Sequence, residues 1–245
     1  MVPQVYGIEH ILYMVITSIV AIACWILCRK FVKTEKGKAI VIKSLGLLLF
    51  IAIMTNRLSQ VFRYEEVRWY CLIPDSFCGM TSLVLSLGVL LGKKNNPILH
   101  FAWLLGIFGG ISTVIYPTFV SQNISFFYIP TISGLAHHSF AAFIVIMLFT
   151  FGYIEITYKK WHYVMFGLTS YMTVGAFLMA TFPISDAFHI VEPLLGGTPL
   201  TAWVMGPIYV FSHGLIFLIV ELVRRHKSKL SKSISEEKVK ETVTV

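Results

Sequence analysis

Ile8–Cys28, IEHILYMVITSIVAIACWILC, is an apolar run whose only charged residue is Glu9, and Arg29-Lys30 closes it. A bilayer core takes about 20 apolar residues as helix, so the run reads as a membrane span. It follows a neutral N-terminus and ends without a small-residue cleavage site, which marks a retained helix and not a signal peptide.

The same pattern recurs along the chain at 39–56, 76–92, 98–119, 127–154, 161–183 and 202–223. Lys43 interrupts the second segment, where its side chain can snorkel to the surface. The third is short and bounded by Pro74-Asp75 and Lys93-Lys94. The expected fold is an all-α polytopic membrane bundle of about seven transmembrane helices over residues 1–225. The Lys-, Ser- and Glu-rich segment 226–245 is expected to leave it as a disordered charged tail.

Lysines and arginines give the bundle a direction. They crowd the first-to-second connection (Arg29, Lys30, Lys33, Lys36, Lys38), the third-to-fourth (Lys93, Lys94), the fifth-to-sixth (Lys159, Lys160) and the C-terminal tail. The N-terminus and the loops at 120–126 and 184–201 hold none. The positive-inside rule puts the N-terminus outside and the C-terminus in the cytoplasm. One connection dissents: Arg57, Arg63 and Arg68 lie on the outer side, partly offset by Glu65, Glu66 and Asp75.

Over 245 residues, 56% are hydrophobic and 13% charged, against about 25% charged in soluble domains. The net charge of +8 is explained by cytoplasmic loops facing anionic lipid, and no nucleic-acid partner is expected. No internal repeat of the inverted-repeat transporter kind is visible.

Ionisable side chains within spans are costly and therefore functional candidates. The topology places His10, Cys78, His137 and His138 in outer halves of helices, Asp186, His189 and Glu192 in the outer loop after helix six, and His213 near the middle of helix seven. Asp75 is expected to cap the third helix, which would put Cys78 at its third position among free N–H groups and a positive dipole end that favour a thiolate. Alternatively Cys78 packs as a small hydrophobe, or pairs with Cys71 in a disulfide. His137 and His138 point about 100° apart on a helix, so one is expected to face any given site; interhelical hydrogen bonding is the other use for either. A metal site from His10, His138, His213 and Asp186 would rest on shared depth alone, since no metal-binding His spacing occurs; no metal and no cofactor is expected. Gly106, Gly109 and Gly110 are expected to permit close helix packing.

The order Leu72-Ile73-Pro74 through Cys78, then Gly106-Ile107-Phe108-Gly109-Gly110 with Pro117, then His138, then Gly206-Pro207 with Tyr209 resembles the YwaF-like integral membrane proteins. That family is related to a eukaryotic transmembrane acyltransferase that remodels ether phospholipids with a Cys and a His. The resemblance implies a multi-pass protein of the bacterial plasma membrane that acts on phospholipid or lyso-lipid in the outer leaflet. It also implies Cys78 as nucleophile and His138 as general base, with His10 orienting the base or binding the headgroup. His137, Asp186, His213 and Tyr209 are the substrate-binding candidates. The competing expectations are a non-catalytic transporter or lipid-binding protein that uses its intramembrane histidines, and a structural partner in a larger membrane complex.

Overall fold

A computed structural model describes residues 3–63, 65–122 and 124–243, with the side chains of Gln122 and of residues 229–243 left aside. Among the described residues the chain forms seven α-helices and no strand: α1 (Ile8–Phe31), α2 (Glu35–Val61), α3 (Phe77–Leu91), α4 (Pro97–Ile115), α5 (Ile129–Thr150), α6 (His162–Thr181) and α7 (Ala202–Val243). Short 3₁₀ turns lie at Trp69–Leu72, Val120–Gln122 and Tyr158–Lys160. The protein is thus a polytopic helical membrane protein, and six helices are long and apolar enough to cross a bilayer.

The exception is α3. Its 15 residues rise about 22 Å at roughly 1.5 Å each, short of a hydrocarbon core of about 30 Å. It does not face lipid along its length. Gly79, Met80, Thr81, Ser82, Leu85, Ser86, Gly88 and Val89 are all buried, because α3 is held among α2, α4 and α5. Its small hydroxyls find partners there: Ser86 donates to the Leu83 carbonyl at 2.7 Å, and Thr81 meets the Tyr171 hydroxyl at 3.1 Å.

Helices α2 to α5 form the packed centre. Helix α6 packs on α4, α7 on α6, and α1 leans on α5. The apolar window of α1 is entirely unburied within the protein, as befits a lipid-facing helix. Glycines bring α4 against α5: a Cβ on Gly110 would stand 2.6 Å from the His138 carbonyl, and one on Gly106 3.1 Å from Val145. This is the expected use of small residues at a membrane helix interface.

One local expectation is corrected. Ser76, not Asp75, caps α3, accepting from the Gly79 N–H at 3.3 Å; the Asp75 carboxylate is turned to Arg57 of α2 at 3.3 Å. Cys78 is therefore the second residue of α3. Helix α7 runs on through the charged segment to Val243, the last described residue. After Gly214 the segment has neither glycine nor proline to stop it, and Lys and Glu sustain a helix.

Candidate functional site

At the end of the bundle that the charge asymmetry puts outside, α2 finishes while α3 and α5 begin. There the helices leave a cavity of about 180 Å³. Helix α2 contributes Asn56, Arg57 and Gln60, with Arg63 just beyond it; α3 contributes its cap Ser76 and Gly79. Helix α5 supplies Pro130, Gly134, His137 and His138, and Phe119 closes one side.

Both consecutive histidines line this space, their ring centroids 4.2 Å apart, where only one was expected to. The cavity wraps the first turns of α5, so side chains 100° apart on the helix still reach it. Nδ1 of His137 lies 3.0 Å from the Ser82 hydroxyl of α3. His138 stacks on Phe119 with ring centroids 6.4 Å apart, and its ring lies near the backbone of Gly109.

Cys78 meets the same glycine. A Cβ on Gly109 would stand 2.9 Å from the Cys78 sulfur, which lies near the Thr113 side chain one turn further along α4. Cys78 does not line the cavity, but Ser76 and Gly79 on either side of it do. Cys78 on α3 and His138 on α5 thus both approach α4 near Gly109, the sulfur alone standing within 4 Å of the glycine's bare Cβ position. In the first turn of α3 the N–H groups of Phe77 and Cys78 have no hydrogen-bond partner among the described residues, as the open end of a helix requires. All four cysteines are free thiols, so Cys71 and Cys78 are not paired.

The remaining candidates lie elsewhere. His10 is fully buried with both ring nitrogens engaged: Nδ1 accepts from the Tyr6 N–H at 3.0 Å, and Nε2–H donates to the Val114 carbonyl at 2.8 Å. It ties the start of α1 to the end of α4. Asp186 organises its own loop, accepting from the N–H groups of Val191 at 3.0 Å and Glu192 at 3.3 Å. Tyr209 donates to the Phe101 carbonyl, and His213 bonds the Tyr209 carbonyl at 3.2 Å in a nest of Trp103, Tyr209 and Phe217. Shared depth did not bring His10, His138, His213 and Asp186 together. Among the described residues no three His, Cys, Asp or Glu side chains group as metal ligands do.

Sequence reasoning missed Asn56, Arg57, Gln60 and Gly109. The Asn56 amide donates to the Pro130 carbonyl at 3.1 Å and the Ser133 hydroxyl at 3.3 Å, and its oxygen accepts Nε and Nη2 of Arg57 at 3.3 and 2.9 Å. The one available signal was the dissent of Arg57 and Arg63 from the charge rule.

Residues 5–223 match the TMEM164 family, and the chain belongs to it. No curated protein and no solved structure matches it.

Proposed function

We propose that this TMEM164-family membrane protein is an acyltransferase acting on phospholipid or another lipid ester at the outer leaflet, with Cys78 as nucleophile and His138 as base. The observation that supports this reading is that the Cys78 sulfur and His138 both approach α4 near Gly109, beside a polar cavity lined by His138 and by the neighbours of Cys78, Ser76 and Gly79.

The chemistry runs in two halves. A ring nitrogen of His138 takes the Cys78 proton as sulfur attacks the ester carbonyl, forming a C–S bond and a tetrahedral oxyanion. The open N–H groups of Phe77 and Cys78 are placed to receive that oxyanion, the usual task of preorganised backbone donors. Collapse breaks the C–O bond, and His138 returns the proton to the departing lyso-lipid alcohol, leaving a thioester on Cys78. An acceptor hydroxyl then gives its proton to His138, attacks the thioester and expels the thiolate, which recovers the proton. Water in the acceptor's place gives hydrolysis, and an apolar surrounding suppresses it. His137, held by Ser82, lines the cavity as a substrate contact.

The test is acyl transfer from a phospholipid to a lyso-phospholipid by the purified protein in liposomes, with intact-mass detection of an acyl group on Cys78. Cys78→Ala and His138→Ala should each abolish transfer while the protein stays folded. Full activity in either variant refutes the assignment. Lipid binding with no acyl group ever found on Cys78 would point to the non-catalytic reading.

A further inference from the structure

The cavity is lined by two arginines, Arg57 and Arg63, and among the described residues no carboxylate lines it. Arg57 is built into place. Its side chain is only 14% exposed. One edge is held by the Asn56 oxygen through Nε and Nη2, and Nη1 bonds Asp75 at 3.3 Å. Asn56 is in turn anchored to α5 through Pro130 and Ser133. Among the described residues these bonds occupy three of the five guanidinium N–H groups, leaving one on each terminal nitrogen. Two such donors suit the paired oxygens of a phosphate. Among the described residues the Arg63 guanidinium bonds only the Gln60 side chain, at 3.4 Å, so its charge is available to a ligand in the cavity.

We propose that Arg57 and Arg63, with Gln60, form a phosphate subsite that seats the headgroup phosphodiester of a membrane phospholipid, holding the lipid while its ester reaches Cys78. The first half of this inference stands on the cavity alone; the second rests on the acyltransferase reading. The lipid is favoured over free phosphate because Phe62 and Trp69, both strongly exposed and in edge-to-face contact with centroids 5.8 Å apart, flank Arg63 in the chain. Exposed aromatics of this kind sit at headgroup level. The subsite also explains why arginines stand on the side of the bundle otherwise free of them.

The experiment measures binding, not turnover. Full-length protein in non-ionic detergent is titrated with dihexanoylphosphatidylcholine, with dihexanoylglycerol (the same chains without phosphate) and with inorganic phosphate, reading the saturable rise in unfolding temperature. The phospholipid should bind and the diacylglycerol should not. Arg63→Gln should weaken phospholipid binding by about tenfold, the scale of one charge-assisted hydrogen bond, and make it less salt-sensitive. Arg57→Lys, which keeps the charge but loses the fork, should weaken it as well; Arg63→Gln keeps the test decisive if Arg57 variants fold poorly.

Inorganic phosphate binding as tightly as the phospholipid, with the same arginine dependence, would uphold the anion site and overturn the lipid as its occupant. Diacylglycerol binding equally well, or binding indifferent to both variants, overturns the subsite. Repeating the titration in Cys78→Ala separates the two proposals: binding should survive there, and acyl transfer that also survived would sink the reaction while leaving the subsite upheld.

Discussion

Gly109→Ala is the sharpest probe of the site, because the structure fixes what one added methyl group meets. Its Cβ would lie 2.9 Å from the Cys78 sulfur, so sulfur, methyl or both must move by at least about half an ångström to regain ordinary contact. Two stability effects then oppose each other. Alanine in a helix interior gains about 1 kcal/mol over glycine, while overpacking costs typically about 1–3 kcal/mol. The net change in unfolding free energy should be a loss of less than about 2 kcal/mol. The effect on transfer should be larger, since misplacing a reacting atom by about 1 Å can cost about 100-fold. A drop of about 10- to 100-fold in acyl transfer is therefore expected. The assay pairs the initial rate of transfer, followed by mass spectrometry of the lyso-lipid product, with urea or thermal unfolding in the same detergent. Gly214→Ala is the control: nothing lies within 4 Å of its added Cβ, so acyl transfer should stay near wild type while stability rises by up to about 1 kcal/mol. A Gly109→Ala protein that transfers acyl groups within twofold of wild type refutes the claim that Cys78 works at this glycine.

Two further outcomes test the frame around the site. Gly167→Ala would drive a Cβ to within 2.1 Å of the Phe101 ring where α6 crosses α4, so unfolding should reveal a loss at or above the upper end of about 1–3 kcal/mol; a neutral effect would mean that α6 is not seated there. His10→Ala removes the tie between the Tyr6 N–H and the Val114 carbonyl, and losing these two part-buried hydrogen bonds should cost about 0.5–1.5 kcal/mol each. A fall in acyl transfer at unchanged unfolding temperature would return His10 to the catalytic set.

Much of the fold could be read from the chain because membrane spans are set by length and apolarity, which are one-dimensional properties. Where the reading slipped, a partner from another helix decided the matter. Asp75 and Ser76 are both good caps, and what separated them was Arg57, which draws the Asp75 carboxylate away and leaves the cap to Ser76. Depth in the membrane was equally legible, and it drew attention to Cys78 and His138, which the fold places on either side of Gly109. Depth, however, carries no azimuth. His10 and His213 were selected by the same argument, yet His10 faces the end of α4 and His213 faces Trp103. Gly109, which has no side chain to advertise itself, could be recognised only once α3 and α5 were seen on either side of it.

The dissenting arginines carry the argument further. The positive-inside rule concerns the insertion of connecting loops, so outer-side arginines that persist against an otherwise consistent pattern need a local reason. Arg57 has one that a solvated loop residue lacks. It is nearly buried, and its orientation is set through Asn56 by α5, the helix that carries His137 and His138. The pairing of Asp75 with Arg57 then joins the residue beside the α3 cap to the same network. Cation, imidazoles and thiol are thus positioned by one continuous set of contacts across α2, α3, α4 and α5. A change in the tilt of any one of these helices would alter the spacing between the phosphate subsite and Cys78, and that spacing would select where along a lipid the reacting ester lies. Lipids whose ester stands at a different distance from the phosphate should accordingly be discriminated by rate more than by binding, since the headgroup contacts are the same for all of them.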